Sequence, residues 1–194
     1  MTAVPEPLGI DRLLLVGTGS LGVAHLPFWV NWLRIAHPDV ELRIVLTRAA
    51  TRFVAPQALS PLIDRPVEID EWPDEAVVAA PHVELAEWAD AVVVDPATLH
   101  FVSRLALGAA DTPVLLALQC TQAPIAVAPA LPPGALANPL VVEHLDRLRR
   151  RPNVLVTPGR PGLSATTGRR ETHAPPPFSD VVAAVAGHRR AAAA

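Results

Sequence analysis

Short apolar runs alternate with longer amphipathic stretches along this chain, and that alternation predicts its elements. Leu13 to Val16 is a continuous apolar run between Arg12 and Gly17, the pattern of a parallel strand buried on both faces. From Leu21 to His37 the apolar residues recur at helical spacing, with Trp29, Trp32 and Leu33 on a packing face, until His37-Pro38-Asp39 stops the helix. Val40 to Leu46 reads as the second strand, and Thr51 to Leu62 as a loop and helix broken by prolines. A short helix from near His82 to Asp90 precedes a strand at Ala91 to Val94. Pro96 then opens a turn into a helix through Ala109, with two further short strands at Val114 to Leu118 and Ile125 to Ala128. Pro139 to Arg151 is a helix whose basic last turn suits the helix dipole, and Val154 to Thr157 is the final strand.

Strands alternating with helices in this way predict an α/β fold, a doubly wound and mostly parallel sheet of Rossmann-like type. Beyond Gly159 the chain turns to Gly, Pro, Arg and Thr, carries Pro175-Pro176-Pro177 and ends in alanines. Residues 164–194 are therefore expected to form a flexible C-terminal segment that contributes no packed core and closes over a site.

Composition narrows the class. The 194 residues fit one domain, and 51% hydrophobic content with a formal net charge of -3 gives no electrostatic reason to expect nucleic acid. Lysine and tyrosine are absent, which reflects codon bias rather than a binding strategy. The single cysteine, Cys120, cannot close an intramolecular disulfide, and in a strand it reads as a small buried hydrophobe. The opening MTAVPEPLGIDR lacks the basic and apolar segments of a signal peptide, and no apolar stretch reaches the roughly 20 residues of a membrane span. A cytoplasmic protein with no membrane partner is expected. Neither His37 nor His144 has a metal-ligand companion at suitable spacing, so no metal site is expected.

The first candidate chemistry is Gly17-Thr18-Gly19-Ser20-Leu21-Gly22, which follows a strand, opens a helix and matches G-x-G-x-x-G. In that context backbone N–H groups bind phosphate. An NAD site needs an acidic residue at the end of the second strand for the ribose hydroxyls. That end is Thr47-Arg48, and Asp39 and Glu41 lie at the other end. The pattern favours a terminal phosphate held by Thr47 and neutralised by Arg48, as in NADP or FMN. Glycines that serve only tight strand-to-helix packing fit the same letters.

Several further segments, in order, resemble the flavin-containing cysteine decarboxylases, the family of phosphopantothenoylcysteine decarboxylase and the peptidyl-cysteine decarboxylases of lanthipeptide biosynthesis. They are Thr18-Gly19-Ser20, VLTRAATRFV at Val45 to Val54, HVELAEWAD at His82 to Asp90, and Pro96-Ala97-Thr98. LALGAAD at Leu105 to Asp111, the Pro-Ala-Leu segment at Pro129 and Asn138-Pro139 continue the match, which spans residues 12–163. The resemblance implies an FMN-binding flavoprotein domain over residues 1–163. It implies that Gly17, Gly19, Ser20 and Thr47 hold the phosphate end, with Phe53, Pro96, Thr98 and His100 around the flavin. It makes His82 the catalytic base, a role suited to an imidazole that takes a proton from a thiol near neutral pH. It also implies a homo-oligomer, trimer or dodecamer, with FMN between subunits.

Two departures bear on substrate. The family turn Pro-Ala-Ser/Thr-Ala-Asn-Thr is here Pro96-Ala97-Thr98-Leu99-His100-Phe101, so that His100 replaces the lost amide. The family's substrate clamp Pro-x-Met-Asn-x-x-Met-Trp is here Pro129-Ala130-Leu131-Pro132-Pro133-Gly134-Ala135-Leu136, and Pro132 cannot donate the hydrogen bond of the asparagine. Leu131, Pro132 and Asn138 are the candidate substrate-binding residues. The expected activity is FMN-dependent oxidative decarboxylation of the C-terminal cysteine of a ribosomally made precursor peptide, giving an aminoenethiol. Phosphopantothenoylcysteine decarboxylation in coenzyme A biosynthesis, a catalytically impaired flavin-binding regulatory subunit and an NADP-dependent reductase are the rivals.

Overall fold

A computed structural model describes residues 7–193. Its centre is β1 (Arg12–Gly17), where Leu13, Leu14, Leu15 and Val16 are each at most 1% exposed. Successive strand side chains point to opposite faces, so Leu13 and Leu15 join one core and Leu14 and Val16 the other. A strand covered on both sides needs no polar face, which is why the run is continuously apolar.

Around β1 lie β2 (Glu41–Leu46), β3 (Glu68–Ile69), β4 (Ala91–Thr98), β5 (Ile125–Ala130) and β6 (Val154–Val156), all parallel, in the order β3-β2-β1-β4-β5-β6. One face is covered by α1 (Leu26–Ala36), α2 (Ser60–Ile63) and α7 (Phe178–Ala193). The other is covered by α3 (Pro81–Trp88), α4 (Leu99–Ala106), α5 (Pro113–Cys120) and α6 (Pro139–Arg149). This is the doubly wound sheet expected.

Several elements differ from the sequence pattern. The first helix begins as a 3-10 turn over Leu21–His25, and the α-helix proper starts at Leu26 with Pro27 in its first turn. Pro96 does not open a turn but lies within β4, whose pairing with β5 shifts register between Val94 and Ala97, as a residue without an N–H requires. Val114 to Leu118, expected as a strand, is helical. Thr112 caps α5 by accepting from the Leu115 amide, Pro113 occupies the first turn, and the buried Asp70 accepts from the Val114 amide. Cys120 ends that helix and is exposed, not buried.

The largest correction is C-terminal. After β6 the chain forms an antiparallel hairpin of β7 (Arg160–Leu163) and β8 (Arg170–Ala174), then α7. Phe178, Val181, Val182, Val185 and Ala186 are all at most 1% exposed and belong to the α1-side core. Phe178 stacks on Trp29 at 6.0 Å and meets Trp32 edge-on at 6.2 Å. The flexible segment expected over 164–194 is thus, as far as it is described, a wall and a core helix. Phe178 and the valines behind it fill the face that α1 alone leaves open.

Candidate active site

At β1 the winding of the sheet reverses: α1 follows β1 on one face, and α4 follows β4 on the other. The carboxyl ends of two such strands diverge into a crevice, the usual ligand position in open α/β sheets. A cavity of about 510 Å³ opens there, between the turn Gly19–Gly22 after β1 and the segment Pro96–His100 at the end of β4. The end of β5 from Ala130 to Pro133 and the β7–β8 hairpin, through Leu163, Ser164, Ala165 and His173 to Pro175, complete its wall.

One buried hydroxyl fixes the two central loops together. Thr18, 1% exposed, donates from Oγ1 to the Pro96 carbonyl at 2.6 Å and accepts from the Thr98 amide at 2.9 Å. Thr98 Oγ1 lies 3.2 Å from the same oxygen and accepts from the Phe101 amide, capping α4. The glycines at 17 and 19 serve close approach rather than open space. A Cβ on Gly17 would fall 2.7 Å from Leu46 Cδ2, and one on Gly19 would fall 2.5 Å from Ala49 Cβ. Their packing lets the Gly19–Gly22 backbone face the cavity.

Thr47 follows β2, with its amide bound to the Gly17 carbonyl at 3.0 Å. Its Oγ1 is buried and has no hydrogen-bond partner. A buried hydroxyl without a partner is costly, and beside a glycine turn it suits an acceptor supplied by a ligand. Arg48, read as the neutralising charge, is instead paired with Glu71. Phe53 is 42% exposed and does not line the cavity. His100 does line it, exposed, with Nε2 3.4 Å from Arg104.

Of the substrate-side candidates, buried Leu131 and exposed Pro132 line the cavity. Asn138 does not. Its Oδ1 accepts from the Leu140 amide and caps α6. His82 stands apart as well, at the start of α3, edge-on to Trp72 at 5.7 Å and with Nδ1 buried and unpartnered. It lines a separate groove between α3 and the residues before β5, which also holds Cys120, Asp90 and Arg189. Within one chain, then, the predicted base and the predicted cofactor turn do not share a cavity.

Two lining or near-lining groups carried no sequence signal. Asp95, one residue before Pro96 and 7% exposed, has its carboxyl pushed up to about 7 by burial. His173, on β8, has its imidazole pKa lowered by burial and then by Arg149. Among the described residues no group of three His, Cys, Asp or Glu side chains could hold a metal ion, and no helix is long and apolar enough to cross a membrane.

Comparison with known proteins agrees with this geometry. A flavoprotein family model matches residues 1–190. Cypemycin cysteine dehydrogenase (decarboxylating) from a Streptomyces species is 37% identical over 149 residues, 77% of each chain. The crystal structure of the cypemycin decarboxylase CypD superposes with a TM-score of 0.80 at 31% identity, covering 97% of this chain and 99% of that one. The FMN-dependent cysteine decarboxylase SpaF superposes with a TM-score of 0.76 at 26% identity, covering 96% and 99%. The chain belongs to the flavoprotein family, in the group of the flavin-containing cysteine decarboxylases.

Proposed function

We propose that this protein binds FMN in the β1/β4 crevice and oxidatively decarboxylates the C-terminal cysteine of a ribosomally made peptide. The observation that carries the reading is the glycine turn Gly19–Gly22 lining the crevice beside the buried, unpartnered Thr47 hydroxyl, in a chain 37% identical to a decarboxylating cysteine dehydrogenase. Gly19 and Ser20 on the cavity wall would hold the phosphate, with the unpartnered Thr47 hydroxyl, which lies outside the lining, behind the same turn, and Pro96, Thr98 and His100 would border the ring system. FMN bound there supplies the two-electron acceptor that cysteine oxidation requires. The protein's own part is to hold the phosphate, seat the cysteine against the cavity and accept the thiol proton. His82, at the start of α3, is the base. Because His82 lines a different groove from the cofactor turn, the site is completed by a neighbouring copy in a homo-oligomer, trimer or dodecamer. The product has lost CO₂ and two hydrogens relative to the peptide, leaving an aminoenethiol.

The test is direct. Purified protein should show a flavin absorbance spectrum, and a peptide ending in cysteine should lose the mass of CO₂ plus two hydrogens on incubation. Turnover of phosphopantothenoylcysteine with no change in any such peptide would sink the peptide reading. Exposed Pro132, which lacks a donor at the substrate wall, favours a second reading, a flavin-binding regulatory subunit. A yellow protein inert toward every cysteine-ended substrate, and bound to a related active chain, would support that one.

A further inference from the structure

Five polar side chains line the crevice cavity: Ser20, Thr98, His100, Ser164 and His173. Three are engaged within the protein. Thr98 Oγ1 serves Thr18 and the Phe101 amide, Ser164 Oγ accepts from the Thr167 amide at 3.2 Å, and His100 faces Arg104. Among the described residues that leaves Ser20 and His173 with no side-chain partner. Ser20 belongs to the turn after β1. His173 is held beside the end of β5, on its side away from β4.

The position of His173 is built, not incidental. Its backbone pairs with Leu131 in both directions, the Leu131 amide donating to the His173 carbonyl at 2.8 Å and the His173 amide to the Leu131 carbonyl at 3.1 Å. Its ring occupies the space a side chain at position 159 would need: a Cβ on Gly159 would fall 1.9 Å from Nε2. The imidazole therefore rests on a bare backbone, next to Pro132, with which it lines both the crevice and an adjoining cavity of about 320 Å³.

We propose that His173 is the substrate-binding residue that receives the C-terminal carboxylate of the peptide, donating a hydrogen bond where Pro132 has none to give. The proposal rests on the peptide-decarboxylase reading and adds the residue that selects a free C-terminus. A neutral imidazole can donate and accept, and burial and the nearby Arg149 both disfavour its charged form. Neutrality suits the task. An arginine in this place would stabilise the carboxylate before reaction by an ion pair that has to be given up as CO₂ departs, whereas a neutral donor orients the group and holds its charge less tightly. Residues preceding the cysteine then pass over His173 into the adjoining cavity.

The experiment uses flavin-loaded protein and two probes, a peptide ending in cysteine with a free carboxylate and the same peptide as its C-terminal amide. Binding is read by calorimetry, KM and kcat by product mass, and flavin occupancy by absorbance. His173→Leu should weaken binding of the free acid and raise its KM by about 10-fold or more, the loss of one hydrogen bond to a charged group, with flavin occupancy unchanged. His173→Gln should restore most of the loss. Gly159→Ala, which displaces the ring, should behave like His173→Leu, and the amide should bind every variant as weakly as His173→Leu binds the acid. Equal affinity and KM for the free acid in wild type and His173→Leu overturns the assignment, as does a parallel loss of flavin. Wild-type protein that binds neither probe defeats the peptide reading itself, an outcome distinct from a wild type that binds the acid regardless of His173.

Discussion

At Thr18 a single hydroxyl does what the glycines on either side cannot, tying the turn after β1 to the end of β4. Replacing it with valine keeps the shape but leaves the Pro96 carbonyl and Thr98 amide without their partner. Thr18→Val should lower unfolding free energy by about 1–3 kcal/mol in a urea titration and weaken FMN in a fluorescence titration, while Thr18→Ser should recover both. Asp95 makes the opposite kind of prediction. Its folded-state pKa of about 7 lies above the ordinary 3.8, so the folded protein binds this proton more tightly than the unfolded chain does. The sign follows: this group's contribution to stability is greatest below pH 4 and is lost as pH rises toward 7. Asp95→Asn should therefore remove a destabilisation of up to roughly 4 kcal/mol at pH 8 and match wild type near pH 4, read as unfolding midpoints across that range. A gap between the two proteins that does not change with pH would refute the assignment. Neither residue's role was legible in the letters. Thr18 entered only as one letter of the Thr18-Gly19-Ser20 resemblance, with nothing to show its bond to the end of β4, and the burial of Asp95 depends on packing from outside its own strand.

The elements were legible where burial is two-sided and sequence-local, and illegible where partners come from far along the chain. β1, β4, β5 and β6 announce themselves as short apolar runs, and β2 as a run of Leu42, Ile44, Val45 and Leu46 interrupted by Glu41 and Arg43. The same signature misreads α5, because a short apolar run buried on all sides looks alike as strand or helix. Thr112-Pro113, a capping residue before a first-turn proline, held the correct answer locally. β3 has only two residues and pairs with β2 alone, too little for any periodicity. The C-terminal helix was hidden by the Pro and Arg-rich hairpin before it, although Val181, Val182 and Val185 follow a helical stripe. Its weight in the fold is testable. Phe178→Ala empties a ring-sized space against Trp29 and Trp32 and should cost about 3–5 kcal/mol in chemical denaturation. A shift within error would mean that α7 packs elsewhere in solution.

On the scale of the whole molecule, the separation of His82 from the glycine turn is the feature the motifs could not reveal, since a motif places residues along a chain and not across a boundary between chains. The two lie on different grooves of one subunit, yet the proposed chemistry needs both at one substrate. A cyclic assembly resolves this when the surface bearing His82 meets the cofactor crevice of the next copy, each interface then making one complete site. Two single variants separate that arrangement from a site closed within one chain. His82→Asn removes the base, and Ser20→Asp sets a carboxylate against the flavin phosphate, so each alone should be inactive. Co-expressed and randomly assembled, about a quarter of the interfaces in a ring would pair an intact Ser20 turn with an intact His82 from its neighbour, and about a quarter of the wild-type decarboxylation should return. Recovery of none, from a mixture shown by native mass spectrometry to contain both chains in one oligomer, would place the base and the flavin in the same subunit. In the shared-site case flavin retention and assembly are linked, so dilution that dissociates the oligomer should also release FMN, visible as a rise in free-flavin fluorescence with the same concentration midpoint.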